Sequence, residues 1–404
     1  MSEVKLTMKT TVAFIFGCRS VEHEVSIISA VQAMRAANRE KYDIVPIYVS
    51  KNGEMYTSSE MFEIEPFRDM KSLLGRSEKV TLIKSGKDVV MHSLKEGGLF
   101  KKKPEDKIIN VAFPVVHGTN CEDGTLQGYL EFLGLPYVGC DVLSSAVGMD
   151  KAVFKSVLKD AGLPVLPCIT FKAREYAEDR EAIITKCEKE FGYPVIVKPV
   201  NLGSSVGISK ASDRNALTDA IDLAVSFADT VLVEHAVSAI REINCSVLGD
   251  PDSCEASVCE EPFMNDEILS YEDKYTSNSG GGSKGMASLQ RKIPADISDE
   301  KAEEIRTLAK KIFKAMGASG VCRIDFIIDT ETDTVYANEA NTIPGSLSFY
   351  LWEATGMKYP ELIDKLISLA FRRNRNRENL TFTIDTNILS GVSFGVKGAK
   401  GSKM

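Results

Sequence analysis

Val321-Cys322-Arg323-Ile324-Asp325-Phe326-Ile327-Ile328, followed by Glu339-Ala340-Asn341, decides how this chain is read. Residues 321–328 and 334–337 are rich in β-branched side chains and read as strands, and the polar run Asp329-Thr330-Glu331-Thr332-Asp333 between them reads as a turn. The expected element is a hairpin. In extended chain, residues two apart point to the same side, which sets Arg323 beside Asp325 and Glu339 beside Asn341. Two carboxylates, an amide and a guanidinium then converge. Hard oxygen ligands on neighbouring strands suit Mg²⁺, which keeps several waters and takes phosphate oxygens as its remaining partners. The hairpin therefore predicts a phosphate-handling site.

A chain of 404 residues with 44% hydrophobic content can bury a large core and is expected to divide into two or three domains. Its formal charge of -8 argues against nucleic-acid binding, which calls for a basic surface. No apolar run approaches the roughly 20 residues of a membrane span, and the start Met1-Ser2-Glu3-Val4-Lys5 lacks the apolar core of a signal peptide, so a cytoplasmic location is expected. The nine cysteines contain no CxxC pair, and His23, His92, His117 and His235 form no ligand pair, so neither a disulfide framework nor a zinc site is indicated.

Strands at 11–16, 44–49 and 111–116 alternate with helical patterns at 26–36 and 125–133, which predicts an α/β domain with a doubly wound parallel sheet over residues 1–141. Residues 71–103 stay unassigned as a polar stretch. An α+β unit follows in two lobes. One covers 142–238, with a helix at 151–161 and strands at 169–171, 195–198, 207–210 and 231–234; the other covers 239–370 and carries the hairpin. The run Ser277-Asn278-Ser279-Gly280-Gly281-Gly282-Ser283 makes 271–290 read as a lid loop. Residues 371–404 read as a basic, Gly/Ser-rich tail.

Lys198-Pro199 ends an apolar strand and is followed by Asn201-Leu202-Gly203-Ser204-Ser205-Val206-Gly207. A lysine supplies a point charge for phosphate, while glycines and serines let backbone N–H groups approach anionic oxygens. Neither a Walker loop nor a GxGxxG is present. Taken in order, these pieces match a family. Gly17-Cys18-Arg19-Ser20-Val21-Glu22-His23-Glu24-Val25-Ser26, His117-Gly118 through Glu122-Asp123-Gly124-Thr125, Met149-Asp150-Lys151, the Lys198 to Gly207 segment, Asp273-Lys274-Tyr275, Arg323-Ile324-Asp325 and Asn338-Glu339-Ala340-Asn341-Thr342-Ile343-Pro344-Gly345 closely resemble the D-alanine-D-alanine ligases of the ATP-grasp superfamily. The resemblance spans about residues 11 to 368.

That resemblance implies an ATP-dependent amide synthesis through an acyl phosphate, serving peptidoglycan precursor synthesis, in a cytoplasmic homodimer. Glu22 resembles the carboxylate that holds the first D-alanine's ammonium. Lys151 and Lys198 resemble the phosphate-binding lysines, Ser205 belongs to the phosphate loop, and Glu234 and Glu242 resemble the acids of the adenine and ribose pocket. Asp325, Glu339 and Asn341 resemble ligands of two Mg²⁺ ions, with Mn²⁺ as a substitute. Arg323 and the N–H of Gly345 resemble the oxyanion donors, Ser204 and Tyr275 the pair linking Glu22 to the lid, Lys274 the lysine for the second substrate's carboxylate, and His117 a residue near substrate.

Two departures stand out. Cys18 and Cys121 occupy positions where relatives commonly have glycine, and the segment after Gly345 reads as shorter, so that Ser346 or Ser348 is expected to meet the second substrate. That substrate is a small D-amino or D-hydroxy acid: D-alanine in the leading reading, D-serine or D-lactate in the alternative. Another ATP-grasp carboxylate–amine ligase is the other alternative.

Overall fold

The computed structural model describes residues 9–95, 105–203, 206–262, 291–384 and 386–391. Three sheets carry the fold. The first contains β1 (Thr10–Gly17), β2 (Tyr42–Val49), β3 (Met55–Thr57), β4 (Glu78–Ser85), β5 (Asp88–Ser93), β6 (Lys107–Ile109) and β7 (Val111–Val115), in the order β6-β5-β4-β3-β2-β1-β7. β1 is buried without interruption from Val12 to Gly17, as suits a central strand covered on both faces, and it pairs in parallel with β2 and β7. The parallel part of the sheet is confined to these three strands. β3 to β6 extend it antiparallel, and β4 and β5 come from the stretch left unassigned above. In β4 buried and half-buried residues alternate from Val80 to Ile83, the pattern of a sheet with one wet face.

The second sheet contains β8 (Cys168–Lys172), β9 (Val195–Pro199), β10 (Ser209–Ala211) and β11 (Thr230–His235), all antiparallel in the order β10-β9-β11-β8. The third contains β12 (Ile240–Gly249), β13 (Cys254–Pro262), β14 (Arg291–Lys292), β15 (Gly320–Asp329) and β16 (Thr334–Asn341), in the order β14-β13-β12-β15-β16. The helix Asp299–Ala315 covers this sheet. Ser298 caps it by accepting from the Lys301 N–H, Asp299 and Glu300 sit in its first turn, and Ile305, Ala309, Ile312 and Phe313 form its buried stripe.

The helix Tyr359–Glu378 returns to the first sheet. Leu362, Ile363, Leu366 and Ile367 join Phe14, Phe113 and Leu130 in one apolar cluster. The helix runs eight residues beyond 370, where the sequence placed the start of a tail, because three of the supposed tail arginines anchor it. Arg373 donates to the carbonyl of Tyr137 at 2.7 Å and lies 4.2 Å over that residue's ring, while Arg372 pairs with Asp250 and Arg377 with Glu131. Among the described residues, no helix is long and apolar enough to cross a membrane.

Candidate active site

The predicted hairpin is β15 and β16, and its antiparallel register sets Arg323 opposite Asn341 and Asp325 opposite Glu339. A register shift between Asp325 and Phe326 lets this end of the pair depart from the regular ladder. Arg323 forks onto Asp325 through Nε and Nη2, both at 2.7 Å, and the Asn341 amide donates to Asp325 Oδ2 at 2.9 Å. Burial pushes the Asp325 carboxyl up, against the pull of Arg323, and the Glu339 charge pushes it further. The oxygens of Asp325, Glu339 and Asn341 fit a hard divalent cation. Among the described residues, no group of three or more His, Cys, Asp or Glu is placed to hold a metal ion, so a cation here would rest on two carboxylates and the Asn341 amide oxygen. An open oxygen set of two carboxylates and an amide is what Mg²⁺ shared with phosphate requires.

Facing the hairpin are two buried lysines. Asp150 caps the helix Lys151–Asp160 by accepting from Ala152 and Val153, which leaves Lys151 at its first position, with Nζ 2.7 Å from the Leu202 carbonyl and 3.6 Å from Glu339. Lys198, near the end of β9, lies 2.5 Å from Glu234 and donates to Asn338 at 3.2 Å. On its other oxygen, Glu234 meets Lys155 at 2.6 Å. Burial opposes the charge of Glu234, yet the two lysines hold its pKa at about 2. Burial likewise opposes the charge of Lys198, but Glu234, with Glu339 and Glu242, raises its pKa.

The third wall comes from the first domain. Glu22 is buried just ahead of the helix His23–Ala36, close against Gly118 and Gly203: a Cβ at either glycine would come within 3.0 Å of Glu22 Oε2. His117 is also buried, and both its nitrogens are engaged by protein atoms: Nδ1 donates to the Ile343 carbonyl at 2.7 Å and Nε2 lies 2.8 Å from Ser29 Oγ. The expected contact of this ring with substrate therefore has no ring nitrogen left to make it. Glu122 accepts from the N–H groups of Gly118 and Ile343, each at 2.8 Å. Burial, with the Glu22 charge nearby, raises its pKa to about 8.

Gly345 opens a tight turn in which Ser346, Leu347 and Ser348 all adopt left-handed backbone, with φ of 52°, 54° and 50°. The hydroxyls of Ser346 and Ser348 are enclosed, on residues 1% and 0% exposed, and neither has a hydrogen-bond partner. The half-buried Tyr350 follows the turn, with its hydroxyl 3.2 Å from Glu260 and its ring under the Arg291 guanidinium at 4.2 Å. Arg291 and Asn244 both donate to Glu260, at 2.8 and 3.1 Å.

Ser204, Ser205, Lys274, Tyr275 and the lid at 271–290 lie outside the described residues. Ser29, Glu122, Lys155, Glu260, Arg291 and Tyr350 have no assigned role in the sequence reading. Lys155 had a signal, since it stands one helical turn after Lys151 on the same face. Glu260 had a weaker one, in its place just before the lid.

A sheet with parallel strands at one end, joined to two antiparallel sheets with buried lysines facing opposed carboxylates, defines an ATP-grasp ligase. Models of the D-ala D-ala ligase N-terminus and C-terminus match residues 11–140 and 157–368. The chain belongs to the D-ala D-ala ligase family. The D-alanine–D-alanine ligase of Thermosipho melanesiensis is 39% identical over 381 residues, covering 94% of this chain and 98% of the relative. The solved D-alanine-D-alanine ligase from Coxiella burnetii is 30% identical with a TM-score of 0.76, over 92% of this chain and 96% of its own. The VanG D-Ala:D-Ser ligase from Enterococcus faecalis is 32% identical with a TM-score of 0.74, over 90% and 100%.

Proposed function

We propose that this chain joins two D-alanines at the expense of ATP, through D-alanyl phosphate, and supplies peptidoglycan synthesis as a cytoplasmic homodimer. The observation that carries the reading is the set of groups at one place: Asp325 opposite Glu339, Lys151 3.6 Å from Glu339, and Arg323 forked onto Asp325. Glu22 holds the ammonium of the first D-alanine and turns its carboxylate toward the phosphates. Lys151 and Lys198 hold those phosphates, Glu234 and Glu242 border the base and ribose, and Ser205 extends the phosphate loop. Asp325, Glu339 and Asn341 would hold Mg²⁺, two ions with Mn²⁺ able to replace them, which offsets the charge that spreads over a transferred phosphoryl group.

The carboxylate oxygen of the first D-alanine takes the γ-phosphoryl group and ADP leaves. The second D-alanine, its carboxylate on Lys274, attacks the acyl carbon with its free amine, and phosphate departs. The fork onto Asp325 uses two of the five N–H donors of Arg323, which leaves donors to meet the oxyanion together with the Gly345 N–H. Ser204 and Tyr275 tie the lid to Glu22 and keep water from the acyl phosphate.

Phosphate release with D-alanine, read together with product mass, tests the reading. D-alanine alone should give phosphate and the dipeptide in equal amounts; no release would sink it. Dipeptide formed only when D-serine accompanies D-alanine would move the second substrate to that of the Enterococcus relative. In Glu339→Gln, turnover should fall at least about a thousandfold with the melting curve unchanged, as expected when several kcal/mol of charge stabilisation is lost. Retained turnover would remove Glu339 from the metal ligands.

A further inference from the structure

We infer that Ser29, His117 and Glu122 form a relay of positioning residues that fixes the Gly345 N–H in relation to the Glu22 carboxylate. The inference rests on the assignments of Gly345 and Glu22 proposed above. Its basis is a run of hydrogen bonds that crosses from the first domain to the turn after β16. Glu122 takes the N–H of Gly118 on one oxygen and the N–H of Ile343 on the other. His117 takes the carbonyl of the same Ile343, and Ser29 accepts the N–H of Ser346 at 3.0 Å. Gly345 thus lies between two tethered residues, while Gly118 packs directly on Glu22.

The proton positions follow from the partners. A carbonyl only accepts, so His117 Nδ1 carries the hydrogen that faces Ile343. Burial holds the ring neutral by lowering its pKa, which makes Nε2 an acceptor. The Ser29 hydroxyl donates to Nε2, and its lone pair receives the Ser346 N–H. Ser29, His117 and Glu122 are buried and spend their polar atoms on one another, on the turn and on Gly118, so the three act as positioning residues.

The turn needs such tethers. Left-handed backbone is unfavourable for an L-residue, and Ser346, Leu347 and Ser348 adopt it in succession. Strain of this kind persists only where the surroundings over-determine it. The relay supplies three tethers, at the N–H and carbonyl of Ile343 and the N–H of Ser346. Without them the Gly345 N–H drifts, and a displacement of about 1 Å at a reacting centre costs on the order of a hundredfold in rate.

The test compares wild type, Ser29→Ala and Glu122→Gln in steady-state ligation, D-alanine binding by calorimetry, and thermal melting. Each variant should lose ten- to a hundredfold in kcat per folded molecule, while KM for ATP and the Kd for D-alanine change less than threefold, because Glu22, Lys151 and Lys198 are untouched. A kcat within threefold of wild type overturns the relay. So does a loss that falls equally on D-alanine binding, which would return His117 to direct substrate contact. Should Glu122→Gln not fold, Ser29→Ala decides alone, since it removes one oxygen. A wild-type chain that makes no dipeptide overturns the ligase reading instead; an active wild type with unaffected variants overturns only the relay.

Discussion

Gly118 has a φ of 75°, and a Cβ there would stand 2.7 Å from Ser20 Oγ and 2.9 Å from Glu22 Oε2. Gly118→Ala should therefore push the Glu22 carboxylate aside and lower kcat/KM for D-alanine by about a hundredfold with ATP affinity kept. Unchanged D-alanine kinetics would argue that Glu22 does not hold the ammonium. Glu234 sets a different expectation. Its pKa is held at about 2 against an ordinary 4.5, so it binds fewer protons folded than unfolded near pH 3. Its stabilising effect is fully present above about pH 4.5 and is shed as pH falls toward 2, on the order of 3 kcal/mol in all. Urea denaturation across that range should show the decline in wild type and a much weaker one in Glu234→Gln.

At the scale of elements, Arg373 anchors the helix Tyr359–Glu378 by donating to backbone carbonyls on the first domain. Arg373→Ala should cost about 2 kcal/mol, read as a shift in the denaturation midpoint at constant slope. A shift near zero would make the helix's apolar stripe its sole anchor. The β15–β16 hairpin was legible because β-branched runs flank a polar turn, and that register alone brought Arg323, Asp325, Glu339 and Asn341 together. β4 and β5 were not legible, since their exposed faces dilute the apolar pattern. The arginines after 370 misled because charge was counted without its partners: Asp250, Glu131 and two carbonyls are distant in sequence. The turn at Ser346 to Ser348 carries no glycine to announce its left-handed backbone, and the partners of His117 lie 88 and 226 residues away. Local pattern marks strands and helices; it does not mark which buried nitrogen meets which carbonyl.

At the scale of the whole molecule, the three sheets are not closed off in the order in which they occur along the chain. The apolar cluster that holds Phe14, Phe113 and Leu130 is completed by Leu362, Ile363, Leu366 and Ile367. A ribosome delivers the first sheet long before it delivers the helix that covers it. The growing chain must therefore carry an uncovered greasy face through most of its synthesis, a surface prone to self-association while it waits. A fragment ending at residue 141 should bind a hydrophobic dye and aggregate, and a separately supplied peptide spanning 357–380 should suppress both. A fragment that stays monomeric and dye-free would mean that the first sheet finds its own cover.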